Sequence, residues 1–184
     1  MNKKGFTLIE LLATITILAM IMLVAVPNIM STLDKSKRRT YVEDAKKMIS
    51  LAEYKVRSNT NITMPDFQNG VRTAIAITLN SMDLTDFSEG PEGGSYDLDK
   101  SYVLITKGNN SYVYYATLVE KYGDNTNTKY RGIKLIKSDE LNAEDAITKV
   151  SDFTTSDLPE APVVGGIQIF GGIVFHISQV VSET

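Results

Sequence analysis

Between Leu11 and Leu33 the chain runs for 23 residues without a charge, built mostly from Leu, Ile, Val, Ala and Met. A helix needs about 20 apolar residues to cross a bilayer, so this run has the length of a membrane span. A secretory signal core is shorter and ends at a small-residue cleavage site. Here the chain continues as VPNIMSTLDKSKRR, with no A-x-A site after the run. Pro27, late in the segment, lacks an N–H and crowds the preceding turn, which predicts a kink or weak point.

The helical pattern outlasts the apolar run. In TYVEDAKKMISLAEYKV, Val42, Ala45, Met48/Ile49, Ala52 and Val56 recur at three-to-four spacing. Glu43 and Lys47 form an i,i+4 pair in the favourable order. The spacing predicts one helix from about Phe6 to about Arg57, on the order of 75 Å long. That exceeds the width of a domain in a 184-residue chain, so its first half must enter something apolar.

Glu10 stands inside this oil, in KKGFTLIELL. A carboxylate there is costly and calls for a partner. One reading is local: the unpaired N–H groups and positive end of the helix dipole favour an anion. The other is intermolecular, a positive charge brought by a neighbouring chain.

KKGFTLIELL, the membrane-length run behind it and Pro27 together resemble the N-terminal region of type IV prepilins and pseudopilins. The resemblance covers about the first 30 residues. It implies a short leader, residues 1–5, cut by a prepilin peptidase between Gly5 and Phe6. Phe6 then becomes an N-methylated terminus. Glu10 matches the family's assembly glutamate, whose carboxylate attracts the terminal amine of an adjacent subunit. Pro27 matches the family's helix-breaking proline. Charge counting alone does not give this orientation, because Lys3 and Lys4 flank one end of the run but Lys35, Lys37, Arg38 and Arg39 flank the other. The leader, an address read by a peptidase, sets it instead: leader in the cytoplasm, head outside.

Beyond the helix, Pro65, Asp66, Asn69 and Gly70 break the pattern. VRTAIAITL (71–79) reads equally as strand or helix. MDLTDFSEGPEGGSYD reads as a surface loop. SYVLITK (101–107) and SYVYYATLV (111–119) around a Gly/Asn turn read as a hairpin, and KYRGIKLIK (129–137) adds a third strand. ELNAEDAITKV (140–150) reads as a short helix capped by Ser138 or Asp139. The uncharged stretch 163–181 reads as a second hairpin turning at Gly171–Gly172, in preference to a second span, because of its glycines, polar residues and β-branched content. The fold class expected is α+β: a long N-terminal helix, its apolar half protruding, against an antiparallel sheet head. The divisions expected are leader 1–5, filament-core or transmembrane helix half 6–33, and head 34–184 with an amphipathic helix half at 34–57.

The chemistry is thin. The chain has no cysteine, which excludes disulfides, thiol catalysis and cysteine-ligated metals; it departs here from the disulfide-closed C-terminal loop of many Gram-negative pilins. A lone His176 in an apolar strand reads as structural. Asp83, Asp86, Glu89, Glu92, Asp97 and Asp99 fit no EF-hand spacing and read as a solvated acidic loop. LPEAP (158–162) departs from a sortase signal at Ala161 and Pro162. A formal charge of −3 gives no case for bulk nucleic-acid binding, and acids interspersed among Lys35–Arg39, Lys46, Lys47, Lys55 and Arg57 leave DNA unsupported. Those cations suit lipid headgroups or acids on neighbouring subunits better. No catalytic residues, metal or cofactor are expected, and the chain reads as a substrate of enzymes. Its expected partners are itself and other pilins, prepilin peptidase, the pilus assembly machinery and the membrane. It would sit in the cytoplasmic membrane first and in a surface pilus after assembly. The implied role is a pilus subunit for attachment, motility or uptake. The alternatives are a pseudopilin of a type II secretion or DNA-uptake machine, or a single-span anchored binding protein.

Overall fold

A computed structural model describes residues 6–68, 71–82, 87, 89–142, 149–170 and 172–182. The chain divides into two compact units, Met1–Ser36 and Lys37–Thr184. Helix α1, Leu8–Ser58, contributes to both.

In the first unit the apolar half of α1 buries none of its side chains. Among the described residues α1 is the one helix long and apolar enough to cross a membrane. Its polar side chains turn back on their own backbone: Thr14 Oγ1 donates to the Leu11 carbonyl at 2.8 Å, Thr16 Oγ1 to Leu12 at 2.8 Å, and Thr32 Oγ1 to Asn28 at 2.9 Å. Such closure suits a medium without water, where an unpaired polar group is expensive. The helix runs through Pro27 without interruption, so the weak point expected there does not break the helix in the isolated chain.

In the second unit α1 buries Tyr41, Val42, Ala45, Met48, Ile49 and Ala52. This is the predicted stripe with Tyr41 added, while Val56 sits half-buried at its end. Among the described residues the stripe packs on a nine-stranded, curled sheet whose strands are β1 (Phe67–Gln68), β2 (Val71–Thr78), β3 (Ser95–Tyr96), β4 (Tyr102–Lys107), β5 (Tyr112–Asp124), β6 (Asn127–Lys137), β7 (Val150–Phe153), β8 (Ile167–Phe170) and β9 (Ile173–Val181). The order is β7-β6-β5-β4-β2-β9-β8, with β1 beside β2 and β3 beside β5. The expected meander is β4-β5-β6, antiparallel in each pairing. The pairing of β2 with β9 is parallel, which makes the sheet mixed and departs from the fully antiparallel sheet expected.

Strand β2 resolves the ambiguous VRTAIAITL. Ile75 and Ile77 point to the helix side with Val103, Ile105, Ala116 and Leu118. Ala74 and Ala76 face a second cluster of Tyr102, Leu104, Tyr115, Phe175 and Ile177. A strand covered on both faces shows no alternation, so its period carried no signal. The β5–β6 hairpin runs further than predicted because the Asp124 carboxylate holds its turn, accepting from Thr126 N at 2.9 Å and Asn127 N at 2.7 Å. The helix expected over 140–150 is only partly open to comparison: Ser138–Asn142 is a 3-10 turn, 143–148 lie outside the described residues, and Val150 begins β7.

Candidate functional site

Phe6 and Thr7 precede the first helical residue, Leu8, and Phe6 is 84% exposed. Thr7 donates twice to one carboxylate oxygen of Glu10, from its backbone N and from its hydroxyl, each at 2.8 Å. Glu10 N returns a longer bond of 3.4 Å to the Thr7 hydroxyl. This is a capping box, a Ser or Thr N-cap closed reciprocally by an acid three residues on. It gives Glu10 the local partner that one reading of the sequence called for. The T-x-x-E spacing that announces it was present in FTLIE, and Thr7 is the residue the sequence reading missed. Only Oε2 is engaged; Oε1 has no partner among the described residues. One carboxylate therefore caps its own helix and keeps an oxygen open to a cation. Gly5, the other side of the expected cleavage point, lies outside the described residues.

A second polar cluster lies inside the head. Glu120 on β5 is fully buried. Its carboxylate accepts from Tyr41 OH at 2.5 Å, from Gly94 N at 2.8 Å and from Glu92 N at 3.1 Å. Glu92 in turn bonds Lys37 at 2.8 Å and Arg131 at 2.7 Å. Tyr96 OH donates to Asp44 at 2.5 Å, and its ring meets Tyr41 edge-on at 6.5 Å. Burial first, then the neighbouring carboxylate, pushes both phenols far up. Burial likewise raises Asp44, against the Tyr96 hydrogen bond. Each acid is taken by fixed donors, and Glu120 has no solvent access. The cluster thus fastens the loop around Gly90–Tyr96 to α1, an arrangement suited to holding elements together.

The basic cluster differs from expectation. Lys37 turns to Glu92 and Arg38 Nη1 donates to the Val150 carbonyl at 2.6 Å, so both serve the chain's own head. Of the acidic residues, Asp97 bonds Lys121 at 2.8 Å and Glu89 is exposed, while Asp83 and Asp86 lie outside the described residues. No group of acids and histidine able to hold a metal ion occurs among the described residues. His176 sits half-buried on β9, opposite Ile167 on β8.

Comparison with curated protein sequences and with solved structures finds no match. A family model, the prokaryotic N-terminal methylation motif, matches residues 1–26. That match takes in Gly5, Phe6, the capping box and most of the apolar run. The chain carries the prokaryotic N-terminal methylation motif, the short leader of type IV pilins and pseudopilins, on a pilin-like α+β fold.

Proposed function

We propose that this chain is the precursor of a type IV pilus subunit. The leader 1–5 is removed between Gly5 and Phe6, Phe6 is N-methylated, and residues 6–33 hold the protein in the cytoplasmic membrane until they pack into a filament core. The head, residues 34–184, then forms the filament surface, and the chain's role is structural rather than enzymatic. The observation that carries this reading is the methylation motif on residues 1–26, which runs into a helix whose apolar half buries nothing within its own chain. The open oxygen of Glu10 supports the assembly role: it offers a neighbour's terminal ammonium an ion pair in a low-dielectric setting. Pro27 supplies the place where the helix loosens during packing.

The direct test is the mass of the N-terminal peptide of protein purified from its own host. The expected peptide begins at Phe6 and is heavier by one methyl group. A peptide still beginning at Met1 removes the reading. Pilus and pseudopilus share this processing, and sheared cell-surface fractions separate them: long fibres containing the chain are the result expected for a pilin. Prepilin peptidase, further pilins and the assembly machinery are the partners this reading requires.

A further inference from the structure

Strands β7 and β8 end the sheet among the described residues, and their edges differ. Strand β7 carries Asp152, whose side chain is 74% exposed, the kind of charge that keeps an open edge from pairing. Strand β8 carries none, and no Asp, Glu, Lys or Arg stands between Glu160 and Glu183. The ladder to β9 fixes which backbone groups of β8 are taken. Ile177 accepts from Gly165 N at 2.8 Å and donates to the Gly166 carbonyl at 2.9 Å. Bonded pairs alternate along an antiparallel ladder, so the next two are Gln168 with Phe175 and Phe170 with Ile173. The N–H and C=O groups of Ile167 and Ile169 therefore point away from β9, to the open side.

Ile167 and Ile169 share one face of this hairpin with Val174, and they are 55% and 68% exposed. The other face carries Phe170 and Phe175, whose rings pack on Tyr115. Strand β8 thus offers a bare backbone edge and an apolar face together, the template for an added strand. That strand must be uncharged and apolar, and β8 itself meets the requirement. A twofold axis at Gln168 sets Ile167 of each copy against Ile169 of the other, so every outward N–H and C=O of both strands is paired. A shifted register sets an isoleucine against a glycine instead. We propose that β8 of one copy pairs antiparallel with β8 of a second copy about a twofold axis at Gln168. The contact is isologous and closes at two. Two strands of 4 residues bury far less than the about 800 Å² per partner of a stable complex, so the pairing is transient between single heads. Repeated along two filaments of the kind proposed above, it adds up and joins them side by side. The pairing itself does not rest on that reading.

The chain has no cysteine, so a single introduced one reads the register in the full-length protein held in excess detergent. Gln168→Cys faces its own copy across the axis as a non-hydrogen-bonded pair, about 4.5 Å apart at Cα, which is within disulfide reach. Under mild oxidation its disulfide-linked dimer is expected roughly tenfold above that of Thr60→Cys, an exposed residue off the sheet. Ile169→Pro deletes an outward N–H and no bond of its own hairpin, and Ile169→Lys puts a charge on the edge. Added to Q168C, each should cut the dimer roughly tenfold, the scale of two backbone hydrogen bonds, with the unfolding midpoint of the head unchanged. Where I169P lowers that midpoint, I169K decides. A Q168C dimer at the control level, one indifferent to the edge changes, or a larger yield from Ile167→Cys overturns the pairing. None of these outcomes touches the pilin reading, which the N-terminal peptide decides.

Discussion

The phenol of Tyr41 and the carboxylate of Glu120, 79 residues apart in sequence, meet at 2.5 Å with both side chains fully buried. The bond ties the helix to β5, and it gives a buried acid one of its three donors. Tyr41→Phe removes that donor and keeps the ring. Leaving a buried acceptor short of a partner costs about 1–3 kcal/mol, so the denaturant midpoint of the detergent-solubilised protein should fall accordingly. A midpoint equal to wild type would mean that water or a rotated side chain replaces the bond without loss.

Gly90 approaches the same carboxylate. A Cβ built there would stand 2.2 Å from the Glu120 carboxyl carbon, so Gly90→Ala must push the loop or the acid aside. A destabilisation of about 1–3 kcal/mol is expected, as for overpacking elsewhere. The cost should shrink in a Glu120→Ala background, where the clashing atoms are gone. Equal cost in both backgrounds would show that backbone freedom, not space, is what Gly90 provides.

Two acids give opposite pH responses. Burial works against ionisation of Asp97, but the Lys121 ammonium and the backbone N–H groups of Lys100 and Asp99 outweigh it, so its pKa falls below the usual aspartate value. A depressed folded-state pKa adds stability above the unfolded value, near 3.9, and that stability is lost as pH drops through the folded one. Asp97→Asn should therefore flatten the loss of stability below about pH 4. Asp44 is raised by burial, so the folded state holds its proton more tightly and gains stability as pH falls through that raised value. Asp44→Asn should remove this gain. Denaturant midpoints from pH 7 to pH 3 for the two variants read both signs.

At the N-terminus, Thr7→Val takes away the hydroxyl that closes the capping box and Thr7→Ser keeps it. Loss of a cap costs about 0.5–2 kcal/mol. Amide exchange at Leu8–Leu11 in micelles should quicken in T7V and stay near wild type in T7S.

Glu10→Ala removes the open oxygen together with the cap. Filament yield should collapse while membrane anchoring persists, since the apolar run is untouched. Normal yield would end the intermolecular role of this carboxylate.

The elements legible in the sequence were those whose signal is local. The long helix announced itself by its uncharged run and its Val42–Val56 stripe, and the β4-β5-β6 meander by β-branched and aromatic runs between turn residues. The capping box was legible too, as T-x-x-E, although the eye goes first to the charge on Glu10. The buried cluster was not. Glu120 ends an apolar run and reads as a residue emerging into solvent, yet its donors come from 26, 28 and 79 residues away. No spacing rule reaches that far. The β2–β9 pairing was hidden for the same reason, and a strand buried on both faces has no alternation to betray which neighbours flank it.

That pairing sets an order of events during biogenesis. Strand β9 lies between β2 and β8 in the sheet, and Ser178 Oγ bonds the Ala74 carbonyl across 104 residues of chain. A head emerging from its N-terminal end presents β2 long before β9 arrives. Until then β2 lacks one of its neighbours, and Phe175 and Ile177 are missing from the second apolar cluster. Contacts so distant along the chain form late and leave incomplete species sticky in the interval. A chain that stops before Ile173 therefore exposes β2 as an open, apolar strand edge, which distinguishes an unfinished head from a finished one.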